Sequence, residues 1–260
     1  MRRFVHVFVL LALALAPLAC AAPAPVKYLV PMQDGTKLAT DVYTPSEKGK
    51  WPVILARSTY GRPAMDAEKL VKQGYACVVQ DVRGMGESEG EHFVFHADGW
   101  YPGLTDGADT AAWIKEQPWC NGIIGTYGGS ALGITQQLIA PTTKLLSAQY
   151  VQVAPSNLYE QCAYRGGVWG KNLLESWLTA IKQPHLIEVY KSHPRYDEFW
   201  SYFNFDAKTP DIAAPAMFEG GWYDIFNQGE IDSFVNREKI GGPGCKGNNY
   251  LIMKLSLIHI

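Results

Sequence analysis

The stretch Gly122-Ile123-Ile124-Gly125-Thr126-Tyr127-Gly128-Gly129-Ser130-Ala131-Leu132-Gly133-Ile134-Thr135 constrains this chain more than any other. An apolar run ends in two glycines, a serine follows, and a helix-compatible segment runs from Ala131 to Ala140. That order is the layout of a nucleophile elbow: a strand, a strained turn with serine at its apex, and a helix. Glycine belongs where backbone and helix approach so closely that a Cβ would clash. The helix N-terminus aims free N–H groups and a positive dipole end at charge developing near the serine. The strict pattern places glycine two residues after the serine; here Leu132 holds that place and the glycine is Gly133. Gly86-Glu87-Ser88-Glu89-Gly90 fits the letters better. However, Ser88 lies well past the apolar run Ala76–Gln80, and no helical pattern follows it. Ser130 is therefore the nucleophile candidate; an ordinary glycine-rich strand-to-helix turn is the other reading of the same residues.

The chain has 260 residues, 47% of them hydrophobic and 18% charged, which describes a globular protein able to bury one large core. A net charge of −2 gives no reason to expect a nucleic-acid partner. Residues 1–21 read as a signal peptide: Arg2 and Arg3, an apolar run from Phe4 to Leu15, and a cleavage site at Ala19-Cys20-Ala21. The run is too short, and too soon followed by Pro23 and Pro25, for a membrane span. The chain is thus expected to be secreted or periplasmic, with a lipoprotein anchored through Cys20 as the rival reading. Cys77, Cys120, Cys162 and Cys245 have no spacing that suggests a disulfide framework or a zinc site. Cys77 is expected to pack as a small hydrophobe.

Strands are expected at Val26–Pro31, Leu38–Val42, Pro52–Ala56, Tyr75–Gln80, Gly122–Tyr127, Leu145–Val151, Ala214–Phe218 and Asn249–Met253. Helices are expected at Asp66–Gln73, Thr105–Glu116, Ala131–Ala140 and Asn227–Val235, with a long glycine-rich loop from Asp81 to Gly103. Alternating strands and helices imply a mostly parallel α/β sheet covered on both faces. Strand signals stop after Ala154, and aromatic-rich helical segments fill 155–206. The core therefore divides into 26–154 and 207–253 around a helical cap, which should lie over the sheet's C-terminal edge, where such sheets bind ligands.

The residues around Ser130 resemble the X-Pro dipeptidyl-peptidase and cocaine-esterase group of serine hydrolases (CocE/NonD type). The resemblance runs through Asp34-Gly35-Thr36-Lys37-Leu38-Ala39-Thr40-Asp41-Val42-Tyr43 and Arg57-Ser58-Thr59-Tyr60-Gly61. It continues in Gln80-Asp81-Val82-Arg83-Gly84, Ser88-Glu89-Gly90 and Trp119-Cys120-Asn121-Gly122. Beyond the elbow it takes in His193-Pro194-Arg195-Tyr196-Asp197-Glu198-Phe199-Trp200 and Gly220-Gly221-Trp222-Tyr223-Asp224. It implies an α/β-hydrolase fold with a cap. There are three departures. Ala131 stands where the family usually has tyrosine. The family's Gly-Pro-Trp-x-His block, bearing the catalytic histidine, does not follow Met253. The family's C-terminal β jelly-roll domain is not in the sequence. Residues 254–260 read as a foreign tail, with His259 a histidine by accident.

The resemblance implies the following chemistry. Ser130 attacks a carbonyl carbon and forms an acyl-enzyme. Asp224 is the acid that orients the base, following its strand to the same sheet edge; a helix N-cap aspartate is its other reading. Asp232 and Glu219 are weaker alternatives. The base is a gap, since none of His92, His96, His185 and His193 has a fitting context. The backbone N–H of Ala131 is one oxyanion donor by elbow geometry. The Tyr60 hydroxyl is the other by resemblance, against a reading as a buried core tyrosine. Arg83 and Asp81 are expected to brace the loop through a salt bridge. Trp169, Trp177 and Trp200 are expected either to line the substrate pocket or to pack the cap. The expected activity is hydrolysis of a small ester or short peptide, as an X-Pro dipeptidyl-peptidase or an amino-acid or acyl esterase, with no cofactor and no metal. The chain as it stands is expected to be nearly inactive without its base. The alternative is a non-catalytic binding module on a hydrolase scaffold. Nothing in the sequence speaks to oligomeric state.

Overall fold

The computed structural model describes residues 24–64, 67–101 and 103–256. The expected signal peptide, Cys20 and His259 lie outside them. Short apolar runs rich in valine and isoleucine become the strands β1 (Val26–Pro31), β2 (Lys37–Tyr43), β3 (Trp51–Ser58), β4 (Ala76–Asp81) and β5 (Cys120–Gly129). They are followed by β6 (Leu146–Gln152), a two-residue hairpin β7 (Tyr164–Arg165) and β8 (Val168–Trp169), β9 (Ala216–Gly221) and β10 (Tyr250–Lys254). Eight of them form one sheet in the order β1-β2-β4-β3-β5-β6-β9-β10. The β1–β2 and β2–β4 pairs are antiparallel, and every pair from β4 to β10 is parallel.

The helices are α1 (Ala67–Lys72), α2 (Asp106–Lys115), α3 (Ala131–Ile139), α4 (Lys171–Ala180), α5 (Leu186–Lys191), α6 (Glu198–Ser201) and α7 (Asn227–Ile240). Side chains alternate across β3, so Val53 and Leu55 pack with Ala111 and Ile114 of α2 and Ile139 of α3. Ala56 instead packs in a cluster with Leu70 of α1. Right-handed crossovers require this division, because β3 to β4 steps one way along the sheet and the later connections step the other. Buried Arg237 fastens α7 to its neighbours, donating to Gln149 of β6 at 2.7 Å and to Gln137 of α3 at 2.6 Å.

Residues 155–206 carry one π-helical turn, Tyr159–Ala163, then the β7–β8 hairpin and α4 to α6. The hairpin corrects the expectation that strands stop at Ala154; Gly166 and Gly167, both at positive φ, close it between Arg165 and Val168. Aromatic packing around Tyr190, Trp200 and Phe203 joins this cap to the core through Phe93 and Val94. Lys254, expected in the tail, is the last residue of β10 and pairs with Gly221. Among the described residues no helix is long and apolar enough to cross a membrane, and Cys77, Cys120, Cys162 and Cys245 are free thiols.

Candidate active site

Ser130 sits between β5 and α3 with φ 55° and ψ −123°, a backbone conformation that a residue with a Cβ rarely adopts. Hydrogen bonds hold it there from several sides. Its N–H donates to the Gln152 carbonyl at 2.9 Å, and its carbonyl accepts from Gly133 and Ile134 at 2.8 and 2.9 Å. The buried amide of Gln136 donates to the Gly128 carbonyl at 2.8 Å and pins the end of β5. Gly128 has φ 146°, and a Cβ there would meet the Leu132 Cβ at 2.5 Å. A Cβ on Gly133 would meet the Ala154 Cβ at 2.7 Å. These contacts explain the departure from the strict motif. Close approach falls at position 133, while Leu132 is buried with Ala56 and Val79. Ala131, the first residue of α3, has no intrahelical partner for its N–H.

Ser88 has a different employment. Its hydroxyl donates to the Asp81 carbonyl at 2.7 Å and accepts from the Ala39 N–H at 2.9 Å, which ties the glycine-rich loop to β2.

A cavity of 100 Å³ opens beside Ser130. Phe95, Leu174, Trp177, Tyr190 and Trp200 line it, as do Ile225 and Phe226. Trp177 and Trp200 line it; Trp169 does not, packing instead on Tyr164 and donating its indole N–H to Glu175 at 3.0 Å. Cys162 also faces the cavity, with burial pushing its thiol up to about 12, so it stays protonated.

Asp224 reaches the same edge of the sheet from β9. Gly129, Gln152 and Glu219 form one row across β5, β6 and β9. Two strand spacings, about 10 Å, therefore separate the strands that lead to Ser130 and Asp224. Asp224 is half-buried, next to cavity residues Ile225 and Phe226, and its Oδ1 accepts from the Phe226 N–H at 2.7 Å. This bond closes a turn ahead of α7, whose N-cap is Phe226, so Asp224 is not the N-cap of the other reading, and Oδ2 is left for another partner. Asp232 accepts from Gln161 at 2.9 Å and Gln228 at 2.7 Å. Glu219 is buried between the Tyr150 hydroxyl and Lys254. Glu230, which the sequence reading missed, is fully buried at the start of α7, with Oε1 accepting from the Ala154 N–H at 2.6 Å. Burial, with the nearby Asp224 and Glu219 charges, raises its carboxyl to about 9.

Tyr60 follows β3, the strand beside β5, and is 48% exposed, so it is no core tyrosine. The Trp177 indole N–H donates to its hydroxyl at 2.9 Å. None of the described histidines lines the cavity. His96 lies against Phe93 and Tyr101, and burial lowers it to about 4. His185 contacts the His92 carbonyl at 2.8 Å, and His193 pairs with Asp197 at 2.6 Å. The salt bridge expected between Arg83 and Asp81 does not form. Arg83 binds Asp34 at 2.7 Å and Asp106 at 2.6 Å, and Asp81 binds Arg62. Among the described residues no group of three or more His, Cys, Asp or Glu side chains could hold a metal ion.

The sequence matches the X-Pro dipeptidyl-peptidase family (S15) over residues 34–185, more than half of the chain. The chain belongs to that family. It is 31% identical over 263 residues to cocaine esterase of Rhodococcus sp. (strain MB1 Bresler), covering 80% of this chain and 45% of the esterase. A putative serine esterase of Mycobacterium bovis is 28% identical over 177 residues, covering 57% of this chain and 27% of that protein. The S15 chain thus spans less than half the length of the curated relatives it matches. Its fold is that of a CocE/NonD family hydrolase of Staphylococcus aureus, with a TM-score of 0.75 at 23% identity, covering 89% of this chain and 45% of the other. An α-amino acid ester hydrolase superposes with a TM-score of 0.69 at 21% identity, covering 88% of this chain and 47% of that one. The S15 member described here is accordingly an α/β hydrolase by fold.

Proposed function

We propose that this chain carries the nucleophile, oxyanion donors and acid of a serine hydrolase that cleaves esters of small apolar acyl groups through an acyl-enzyme. The Ser130 hydroxyl attacks the ester carbonyl and gives its proton to a base. The Ala131 N–H and the Tyr60 O–H receive the charge that develops on the carbonyl oxygen. Collapse expels the alcohol and leaves Ser130 acylated; water then reverses the sequence. Asp224 orients the base through Oδ2, the oxygen not bound to the Phe226 N–H, and the imidazole is expected from outside the described residues.

The observation that carries this reading is the strained, exposed Ser130 at the mouth of a cavity whose walls are apolar. A free α-ammonium, which a dipeptidyl-peptidase must hold, needs an acidic partner. Among the described residues no Asp or Glu lines this cavity. An aliphatic cavity of about 150 Å³ takes benzene, so 100 Å³ suits a short acyl chain.

The test uses the protein expressed from its complete gene. It should hydrolyse p-nitrophenyl butyrate faster than the palmitate ester or Gly-Pro-p-nitroanilide, and a fluorophosphonate should modify Ser130, as read by peptide mass mapping. Ser130→Ala should abolish both reactions. Ester hydrolysis that survives in Ser130→Ala, or a phosphonate on another residue, overturns the reading.

A further inference from the structure

We infer that Trp177 of the cap is a positioning residue that aims the Tyr60 proton at the oxyanion. The inference rests on the assignment of Tyr60 as an oxyanion donor. A phenol oxygen can accept one hydrogen bond while donating another, whereas an indole N–H can only donate. With Trp177 Nε1 donating to the Tyr60 oxygen at 2.9 Å, the Tyr60 proton cannot turn toward the indole nitrogen. It is left to point elsewhere, and Trp177 and Ser130 line the same cavity. The donated bond also polarises the phenol, making its O–H a better donor to a developing negative charge.

The indole is itself held in place. Its ring stacks on Phe95 at 5.6 Å between centroids and 11° between planes. Phe95 has φ 69°, a strained conformation for a bulky residue, and is buried in the cavity wall. Strain at such a place persists only where the surroundings enforce it. The glycine-rich loop thus presents Phe95, Phe95 fixes the plane of Trp177, and Trp177 reaches across 117 positions of sequence to Tyr60. The oxyanion donor then depends on the cap, so a displaced cap misaims it even with Ser130 undisturbed.

Trp177 also lines the cavity, so its replacement can weaken substrate binding without touching the proton. A double-mutant cycle in the complete protein separates the two effects. Trp177→Phe keeps a stacking ring and removes the N–H. Replacement by 3-benzothienylalanine removes the N–H with the bicyclic shape intact, which covers the case in which the Phe variant folds poorly. Both should lower kcat on p-nitrophenyl butyrate about three- to tenfold, the worth of one hydrogen bond, with KM nearly unchanged. In a Tyr60→Phe background the same changes should leave kcat alone. If Tyr60→Phe has no effect, the assignment of Tyr60 fails and the inference falls with it. If Tyr60→Phe lowers kcat while benzothienylalanine moves only KM, or lowers kcat equally in both backgrounds, Tyr60 keeps its role and Trp177 is only a wall.

Discussion

Gly133 on α3 lies so close to Ala154, just past β6, that a Cβ built on it would come within 2.7 Å of the Ala154 Cβ. The Gln152 carbonyl would stand 3.1 Å away on the same side. Neither obstacle is the end of a flexible side chain, so the helix itself would have to move, and α3 begins immediately after Ser130. Gly133→Ala should therefore cost about 1–3 kcal/mol and reduce labelling of Ser130 by a fluorophosphonate. Leu132→Gly would restore the letters of the strict motif at the wrong place. It empties a buried position packed against Ala56 and Val79, and should cost at least as much. Urea melts of the two variants check this; a fully stable Gly133→Ala would contradict the close packing of α3 on β6.

Arg83 divides its guanidinium between two carboxylates, and the division matters more than the count of bonds. Two nitrogens bind Asp106, at 2.9 and 2.6 Å, and Asp106 is fully buried. The remaining reach goes to Asp34, whose carboxyl the Arg83 guanidinium holds down at about 2. Arg83→Met should strand Asp106 as an uncompensated buried charge and cost about 3–5 kcal/mol. Adding Asp106→Asn should recover a large part of that loss, because the stranded charge goes with it. Chemical denaturation of wild type, both single variants and the double variant closes the cycle.

The glycine-rich loop shows where sequence reading stops. Short apolar runs bounded by turn residues locate each strand of the sheet to within a few residues, since a strand covered on both faces is apolar along most of its length. Ser130 is legible too, because the tight turn demands glycines beside it in the chain. The partners of Arg83 are not: Asp34 and Asp106 reach it from 49 positions upstream and 23 downstream, and nothing local separates them from the adjacent candidate Asp81. The bond from Trp177 to Tyr60 leaves no local trace either. The β7–β8 hairpin has only two residues in each strand, too few to display a period. Glu230 resembles any polar residue in a first helical turn, and only the fold reveals that it is buried.

Glu230 should make stability depend on pH in the alkaline direction. Its folded-state value of about 9 lies above the ordinary 4.5, so folding favours the protonated acid. The contribution is full below pH 4.5. It is then lost as pH rises toward 9, because the unfolded chain ionises while the folded one does not. Each pH unit in that window removes up to about 1.4 kcal/mol. Glu230→Gln keeps an acceptor for the Ala154 N–H and removes the titration. Its melting temperature should match wild type near pH 4.5 and exceed it by a widening margin up to pH 8. A margin that does not vary with pH would show that the carboxyl is ionised in the fold.

His96 should act in the opposite direction. Its ring lies against Phe93 and Tyr101 in the junction between loop and cap, and burial depresses it from 6.5 to about 4. A base that resists protonation in the fold leaves the unfolded chain to take up the proton first. Stability is therefore untouched above pH 7 and falls as pH drops through 6.5 toward 4. Phenylalanine offers the same aromatic contacts with nothing to protonate. His96→Phe should melt with wild type at pH 7.5 and several degrees above it at pH 5. The comparison must be made within one buffer series, because Asp34, held at about 2 by Arg83, loses its own contribution over the acid range in both proteins and cancels in the difference. If the two proteins lose stability in parallel down to pH 5, the imidazole is charged within the aromatic cluster, and water must reach it there.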